Sequence, residues 1–188
     1  GSSDEESQAV AVDAPGVTES EIRVGGVASV TNPLGAHYDE HFEAVDAYFQ
    51  MVNEDGGVHG RDLVLAARHD DQLANNDAAV QALLTQDDVC AVLPVASLLF
   101  AGADELVQAN VPTFGWIINP EWQGTPDDPR ANLFGQYGSF LCFGCASPTV
   151  PFVASQEGAQ RIGLLAYNVP QSAQCATGAE RSFEQYAA

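Results

Sequence analysis

Apolar and polar positions along this chain fall into two alternating patterns. Short runs of apolar and small residues, typical of buried strands, alternate with segments in which apolar residues recur every three or four positions, as in amphipathic helices. The first pattern predicts strands over residues 21–29, 63–67, 89–95, 111–117 and 132–137. The second predicts helices over residues 39–53 and 97–110, and a further helix running from a cap at Asn75 or Asn76 to Asp87 and Asp88. This alternation indicates an α/β fold with a doubly wound parallel sheet.

The same alternation begins again after residue 138. Residues 147–158 and 175–187 have helical patterns, and residues 162–167 between them have the pattern of a strand. Residues 120–129 are rich in Pro, Gly and Asp, which predicts an irregular surface segment. One strand and parts of two helices are too small a unit to bury a core of their own.

The turn between the first helix and the second strand is the most informative local sequence. Gly56 and Gly57 follow the helical pattern, and glycine adopts the positive φ that ends a helix without a steric penalty. The following strand leads directly to an acidic loop at Asp70 and Asp71. A helix that is followed by a strand within about six residues is typical of wound α/β folds.

Several segments, taken in order, resemble one known family. They are N-x-x-G-G-V-x-G-R-x-L followed by D-D-Q at 53–72, S-V-T-N-P-L-G-A-H-Y at 29–38, Q-D-D-V-C-A-V-L-P-V-A-S at 86–97 and N-V-P-T-F-G at 110–115. This order is similar to the first lobe of branched-chain amino-acid-type substrate-binding proteins of ABC transporters, the type I periplasmic binding proteins. The resemblance runs from about residue 21 to the C-terminus. It implies two α/β lobes joined by a hinge, with a ligand bound between them.

The resemblance also implies a division of the chain. We expect a flexible acidic N-terminal tether over residues 1–20, a first ligand-binding lobe over 21–138, and a hinge crossing with an incomplete second lobe over 139–188. In the family the chain later returns to finish the first lobe. We therefore expect the sequence to be a fragment of a protein about twice as long, rather than a truncated relative.

Charge narrows the choice of partners. The sequence has 26 acidic residues, six Arg and no Lys, for a formal net charge of -20. Such a surface repels phosphate backbones and anionic bilayers, so we expect no nucleic-acid binding. The simplest interpretation of the charge itself is a solvated acidic surface.

The N-terminal sequence bears on location. It has no apolar run long enough for a signal peptide or a membrane span. The opening G-S-S-D and acidic segment resemble the residues just after the lipidated cysteine of a bacterial lipoprotein, although an expression-tag scar also reads G-S. We expect an exported protein, periplasmic or at the cell surface, with a lipid anchor as one option.

The candidate ligand site is predicted by the topology. Ligands of open parallel sheets bind beyond the carboxyl ends of the strands, where backbone N–H groups and helix N-termini bind carboxylates well. Three predicted loops occupy that edge, at residues 31–38, 96–98 and 116–120. Carried over by resemblance, the ligand-binding candidates are His37, Tyr38, Ala96, Ser97, Trp116, Asn119 and Ser172.

Each candidate also has a purely structural interpretation. His37 and Tyr38 could simply cover a helix start, Ser97 could be only a helix N-cap, and Trp116 could belong to the core. Trp116 also replaces small residues of the family pattern, and Ser172 stands where the family often has a tyrosine. An α-amino acid is the first expectation for the ligand, with an apolar or aromatic acid as the alternative. The implied partner is the ABC transporter membrane permease, and no cofactor is implied; a ligand-sensing receptor of the same fold is the rival function.

An enzymatic alternative comes from the segment around His37. The residues His37, Glu40 and His41 fit H-x-x-E-H, the inverted zinc-peptidase motif. The motif needs both histidines on a helix and a distant third ligand, whereas His37 is predicted to lie in a loop. Asp70 and Asp71 look like a catalytic carboxylate pair, but the family has such a pair after its second strand. We therefore expect no enzymatic activity and no metal site.

Four cysteines leave the disulfide pairing open. Cys142 and Cys145 have the C-x-x-C spacing of redox and zinc sites, but no suitable proline loop accompanies them. A four-cysteine zinc site is disfavoured because Cys90 is expected to lie far from the others. An exported chain normally oxidises its cysteines. We expect a structural disulfide that joins Cys175 to Cys142 or to Cys145.

Overall fold

A computed structural model of the chain describes residues 12–135 and 142–187. Its five strands are β1 (Glu21–Ala28), β2 (Asp62–Asp70), β3 (Ala91–Ala96), β4 (Thr113–Gly115) and β5 (Leu133–Gly135). They form one sheet in the order β2-β1-β3-β4-β5, and every neighbouring pair is parallel. The predicted α/β class with a parallel sheet is therefore confirmed.

Helices α1 and α2 pack on opposite faces of this sheet. The helices of the described residues are α1 (Glu40–Glu54), α2 (Asn76–Thr85), α3 (Ala103–Gln108), α4 (Thr149–Gln156) and α5 (Pro170–Tyr186), with a short 3-10 turn at Pro120–Trp122. Val27 belongs to the core with Val80 and Leu83 of α2, whereas its neighbour Ala28 belongs to the core with Phe42 of α1. Successive residues of a strand point to opposite faces, so β1 has a helix packed on each side.

Two glycines of β1 allow this close packing. A Cβ atom added to Gly25 would lie 2.5 Å from a methyl carbon of Leu83, and one added to Gly26 would lie 2.7 Å from the ring of Phe42. Both distances are far below van der Waals contact, so side chains here would push the helices away from the strand. Gly25 and Gly26 therefore determine how closely α2 and α1 can pack on β1.

Ordered contacts begin before the predicted lobe boundary at residue 21. The Gly16 N–H donates to Asp88 Oδ1 at 3.0 Å, and Val17 forms an antiparallel bridge with Ile22. Residues 1–11 and 136–141, which include parts of the predicted tether and hinge, lie outside the described residues. The division into tether and lobes stays a prediction.

Two predicted elements differ from the structure. The helix predicted over residues 97–110 is only α3, because hydrogen bonds to neighbouring loops hold the first part of that segment in turns. The strand predicted over residues 162–167 does not form among the described residues. A strand is stable only when its backbone pairs with another, and these residues have no partner strand in the described part of the chain, where Leu165 is 98% exposed.

The disulfide also differs from the prediction. Cys142 is bonded to Cys145, with their Cα atoms 5.3 Å apart, whereas Cys175 and Cys90 are free thiols. The expected bridge to Cys175 is therefore wrong. Helix α5 begins at Pro170, not near residue 175. Gly178, one turn after Cys175, packs against the disulfide loop, residues 142–145. A Cβ atom on Gly178 would lie 2.2 Å from the Phe143 carbonyl oxygen.

Asp70, the last residue of β2, fixes the start of the loop after β1. Its carboxylate accepts hydrogen bonds from the Thr31 hydroxyl at 2.6 Å and from the Thr31 and Gln72 N–H groups at 3.0 and 2.9 Å. Burial alone would raise the pKa of Asp70, but the Thr31 hydroxyl and the backbone donors together hold this pKa below its ordinary value of 3.8. The ionised carboxylate is therefore the form that the fold prefers.

We predict that Thr31→Val raises the pKa of Asp70 towards 3.8. A carboxyl group with a lowered pKa stabilises the folded state above its unfolded-state pKa, and this contribution is lost as the pH falls through the folded-state pKa. The variant should therefore be less stable than the wild type at neutral pH, and the difference should shrink in acid. Urea unfolding from about pH 2 to pH 7 measures this. In an Asp70→Asn background, Thr31→Val should cost the same at every pH; a pH-independent cost in the wild-type background would contradict the prediction.

The thiols should react at different rates. Iodoacetamide attacks through the thiolate, so the exposed Cys175 should be labelled quickly in the native protein. Cys90 should react slowly, because burial raises the pKa of its thiol more than its backbone hydrogen bond lowers it. Cys142 and Cys145 should be labelled only after reduction. Peptide mass mapping measures the labelling of all four cysteines, and Cys175→Ser should remove only the rapidly labelled site. A cross-linked peptide that contains Cys175 would refute the assigned disulfide pairing.

Candidate functional site

The carboxyl ends of the parallel strands lie at one edge of the sheet, and buried polar residues concentrate in the loops there. The loops are residues 29–39 after β1, 71–75 after β2, 97–102 after β3 and 116–119 after β4. Five polar residues at this edge are at most 2% exposed: Ser29, Asp71, Asn76, Ser97 and Asn119. We call them the edge network. Buried polar groups need hydrogen-bond partners, and these five find them mostly in one another's loops.

Ser97 and Asn119, two of the predicted site residues, are in direct contact. The Asn119 Nδ2 group donates to the Ser97 carbonyl oxygen at 3.2 Å. The Ser97 hydroxyl donates to the Val27 carbonyl oxygen at 3.4 Å and accepts from Asn76 Nδ2 at 3.3 Å. Both side chains are thus engaged inside the fold, where they join the loops after β3 and β4 to β1.

The other members of the edge network join the remaining loops. The Ser29 hydroxyl accepts from the Leu98 N–H at 3.1 Å, while the Ser29 N–H donates to the Ala96 carbonyl oxygen at 3.1 Å. Asp71 accepts from the Leu73 N–H at 2.8 Å and from Asn76 Nδ2 at 3.1 Å. The four loops of this edge are therefore held as one unit.

Two further sequence-predicted candidates, His37 and Tyr38, lie in the loop after β1. Tyr38 is half-buried and packs on the small core of Ala28, Phe42 and Ala96, and His37 next to it is exposed. Ala96 itself has no exposed surface. The structure thus brings Tyr38, Ala96, Ser97 and Asn119 together at the edge.

Trp116 and Ser172 line separate depressions. Trp116 is half-buried and borders a groove of about 530 Å³ on the α1 side, together with Tyr48 and the stacked rings of Phe114 and Phe134. Ser172 lies in the first turn of α5, beside a cavity of about 440 Å³ that residues 164–167 also line. The two depressions share no lining residue, so the structure does not bring Trp116 and Ser172 to one site.

The start of α5 nevertheless reaches the loop after β3. The Gln171 Nε2 group donates to the Leu98 carbonyl oxygen at 2.9 Å, across 73 positions of sequence. Ser172 is the next residue, so this candidate lies near the edge of the sheet, although the cavity that it lines is formed with residues 164–167. A larger open depression of about 1000 Å³ lies on the other side of α5, between the disulfide loop and Arg181.

The zinc-peptidase motif lacks the geometry of a metal site. His37 is exposed in the loop before α1, whereas Glu40 and His41 belong to the helix itself. The His41 ring lies 5.9 Å from the ring of Tyr38. No group of three His, Cys, Asp or Glu side chains that could hold a metal ion occurs in the described residues.

Sequence reasoning missed Ser29, Asp71 and Asn76 as edge residues, and missed Gln171 entirely. The buried position of Asn76 could have been predicted from its spacing. Residues 76, 80 and 83 lie on one face of a helix, and Val80 and Leu83 are apolar and buried. An amide on an apolar stripe indicates a buried polar contact. Nothing local marks Gln171, whose partner lies 73 residues away.

Comparison with known proteins identifies the family and the fold. The periplasmic binding protein family model matches residues 21–187. A branched-chain amino acid transporter substrate-binding protein from Streptococcus pneumoniae, solved with isoleucine, superposes with a TM-score of 0.67 at 18% identity, covering 88% of this chain and 47% of that one. No curated protein matches the sequence.

Two further solved structures have the same fold. A fatty acid ABC transporter substrate-binding protein from Thermomonospora curvata has a TM-score of 0.66 at 16% identity over 93% of this chain and 44% of its own. An ABC transporter solute-binding protein from R. palustris, in complex with 4-hydroxybenzoate, has a TM-score of 0.66 at 20% identity over 87% of this chain and 44% of its own. The chain spans less than half of the length of these three structures. Because the family model covers nearly the whole sequence, the chain belongs to the periplasmic binding protein family, type I.

Proposed function

We propose that this chain contributes the first lobe, and the start of the second, to an extracytoplasmic solute receptor of an ABC importer. The observation that carries the proposal is the family match over residues 21–187, together with the four loops held as one unit at the carboxyl edge of the sheet. The receptor works without chemistry. A ligand held by both lobes stabilises the closed form, and the membrane permease binds that form.

The proposed ligand is an α-amino acid or a related small carboxylic acid. None of the six arginines lies in residues 29–39, 97–102, 116–119 or 170–172, and the sequence has no lysine. Within this chain, a ligand carboxylate at the edge is therefore held by backbone N–H groups and hydroxyls rather than by a salt bridge. The relatives solved with isoleucine and with 4-hydroxybenzoate support both an aliphatic amino acid and an aromatic acid as choices.

The edge network determines which groups face the ligand. Ala96, Ser97 and Asn119 are buried, so in the proposed receptor they act through the backbone that they fix. His37, Tyr38 and Ser172 keep accessible surface and provide side-chain contacts. Trp116, in the groove against α1, is the candidate with the least support from its position.

The family supports an extracytoplasmic location. In residues 12–135 and 142–187 no helix is both long and apolar enough to cross a membrane. A lipid anchor remains part of the proposal, to be tested by mass analysis of the protein isolated from its natural host.

We predict that an amino acid or an aromatic acid raises the melting temperature of the full chain in a thermal-shift panel that also contains zinc. A ligand at about 100 times its dissociation constant adds about 2.7 kcal/mol to the free energy of unfolding. Tyr38→Ala should weaken that ligand about tenfold, since it removes an aromatic contact worth about 1 kcal/mol or more. Tyr48→Ala is the matched control, because Tyr48 is 59% exposed on α1 and borders the other groove.

The panel can also refute the proposal. Stabilisation by zinc alone, abolished by His37→Ala, would replace the receptor with a metal-dependent function. Equal losses of affinity in Tyr38→Ala and Tyr48→Ala, measured by calorimetry, would remove Tyr38 from the site while leaving the receptor in place.

A further inference from the structure

Among the described residues, the Asn76 side chain makes more hydrogen bonds than any other side chain of the edge network. It is the first residue of α2 and is 1% exposed. Its Nδ2 group donates to Asp71 Oδ2 at 3.1 Å and to Ser97 Oγ at 3.3 Å, while its Oδ1 atom accepts from the Gly102 N–H at 3.0 Å. One side chain thus contacts the loop after β2 and both ends of the loop after β3.

Two other anchors hold the loop after β3 between Ser97 and Gly102. The Leu98 N–H donates to Ser29 and the Leu98 carbonyl oxygen accepts from Gln171, while the Phe100 side chain is buried in the core. The Asn76 amide contacts both ends of this six-residue loop, and we call these contacts the clamp. The clamp thus fixes where the loop begins and ends, and the two anchors hold the residues between.

We infer that Asn76 is the positioning residue of the ligand site. It holds the loop after β3 so that the peptide N–H groups of residues 99–101 face the ligand in a fixed arrangement before binding. The inference rests on the proposed function and names the residue that organises its site. Preformed donors bind more tightly because the ligand does not have to order them.

Asparagine is the side chain that this position requires. The clamp needs two N–H donors and one acceptor at the same time, on a stem short enough to remain within the first turn of α2. Aspartate would keep the acceptor for Gly102 but lose both donors, and would place a second carboxylate beside Asp71. Alanine would lose all three bonds and leave the buried Asp71 with one partner fewer.

The first test needs no ligand. In Asn76→Ala, amide hydrogen exchange at Leu98 and Gly102 should accelerate about tenfold relative to the amides of β1, as expected when a buried hydrogen bond is lost. The matched control is Asn75→Ala, an exposed neighbour whose amide contacts Gln72, and it should leave both amides unchanged. Equal exchange in the two variants overturns the inference.

A second variant keeps the test decisive if Asn76→Ala does not fold. Ser97→Ala removes one end of the clamp together with the hydrogen bond from the Ser97 hydroxyl to the Val27 carbonyl oxygen. The Asn76 contact with Gly102 and the Asn119 contact with the Ser97 carbonyl oxygen remain. It should accelerate exchange at Leu98 and leave Gly102 protected. Unchanged exchange at Leu98 overturns the inference.

The affinity test separates positioning from general stability. With a ligand identified by the panel, Asn76→Ala should raise the dissociation constant of the full chain about tenfold. Val89→Ala truncates a core side chain that is 5% exposed and lies before β3, at the opposite edge, and should leave that constant within about twofold for a comparable loss of melting temperature. Equal affinity losses in both variants would show a merely structural role and overturn the inference. If the full-length wild-type receptor, with both of the proposed lobes, binds nothing in the panel, the proposed function fails, and the exchange experiment still decides whether Asn76 positions the loop.

Discussion

The edge of this sheet depends on one constraint, that a polar group removed from water must find a hydrogen-bond partner inside the protein. Ser29, Asp71, Asn76, Ser97 and Asn119 are buried together, and each comes from a different loop or helix start. Their partners are therefore necessarily on neighbouring loops. Apolar side chains of the same volume would pack equally well, but without directional hydrogen bonds the loops could shift relative to one another. The network instead specifies one arrangement, and each of its bonds contributes about 1 kcal/mol to that choice.

This constraint also limits what the side chains can do for a ligand. A hydroxyl that already donates to Val27 and accepts from Asn76 has little capacity left for another partner. In the proposed receptor, the residues that organise the edge are thus distinct from those that contact a ligand, which are peptide groups and the accessible side chains of His37, Tyr38 and Ser172. With no arginine or lysine in the edge loops, recognition there depends on the direction of hydrogen-bond donors. Direction is the property that a rigid network supplies.

Most elements within residues 21–135 could be predicted from the sequence, because their patterns are local. The apolar runs of the strands, the apolar stripe of α1 and the Gly-Gly turn are each recognised from residues that lie close together in the sequence. The failures have non-local causes. Residues 162–167 have the composition of a strand, but pairing needs a partner that the described residues do not offer. The segment after Ser97 has helical spacing, yet bonds to Ser29 and Asn76 hold its first part in turns. The pairing of Cys142 with Cys145 depends on where α5 begins, which a pattern places only to within a few residues.

The hydrogen bonds of the edge continue as far as the start of α5. From Asp71 the path runs through Asn76 to Ser97, and from the adjoining Leu98 carbonyl oxygen to Gln171. The last step is one neutral, partly buried bond, worth about 1 kcal/mol. A contact worth about 1 kcal/mol favours one relative position of the two parts but is easily broken. A ligand that makes several hydrogen bonds to both parts contributes more free energy than this contact does. If the proposed receptor opens and closes around its ligand, a weak final link after a rigid network suits it, because the site stays ordered while the parts that carry it move.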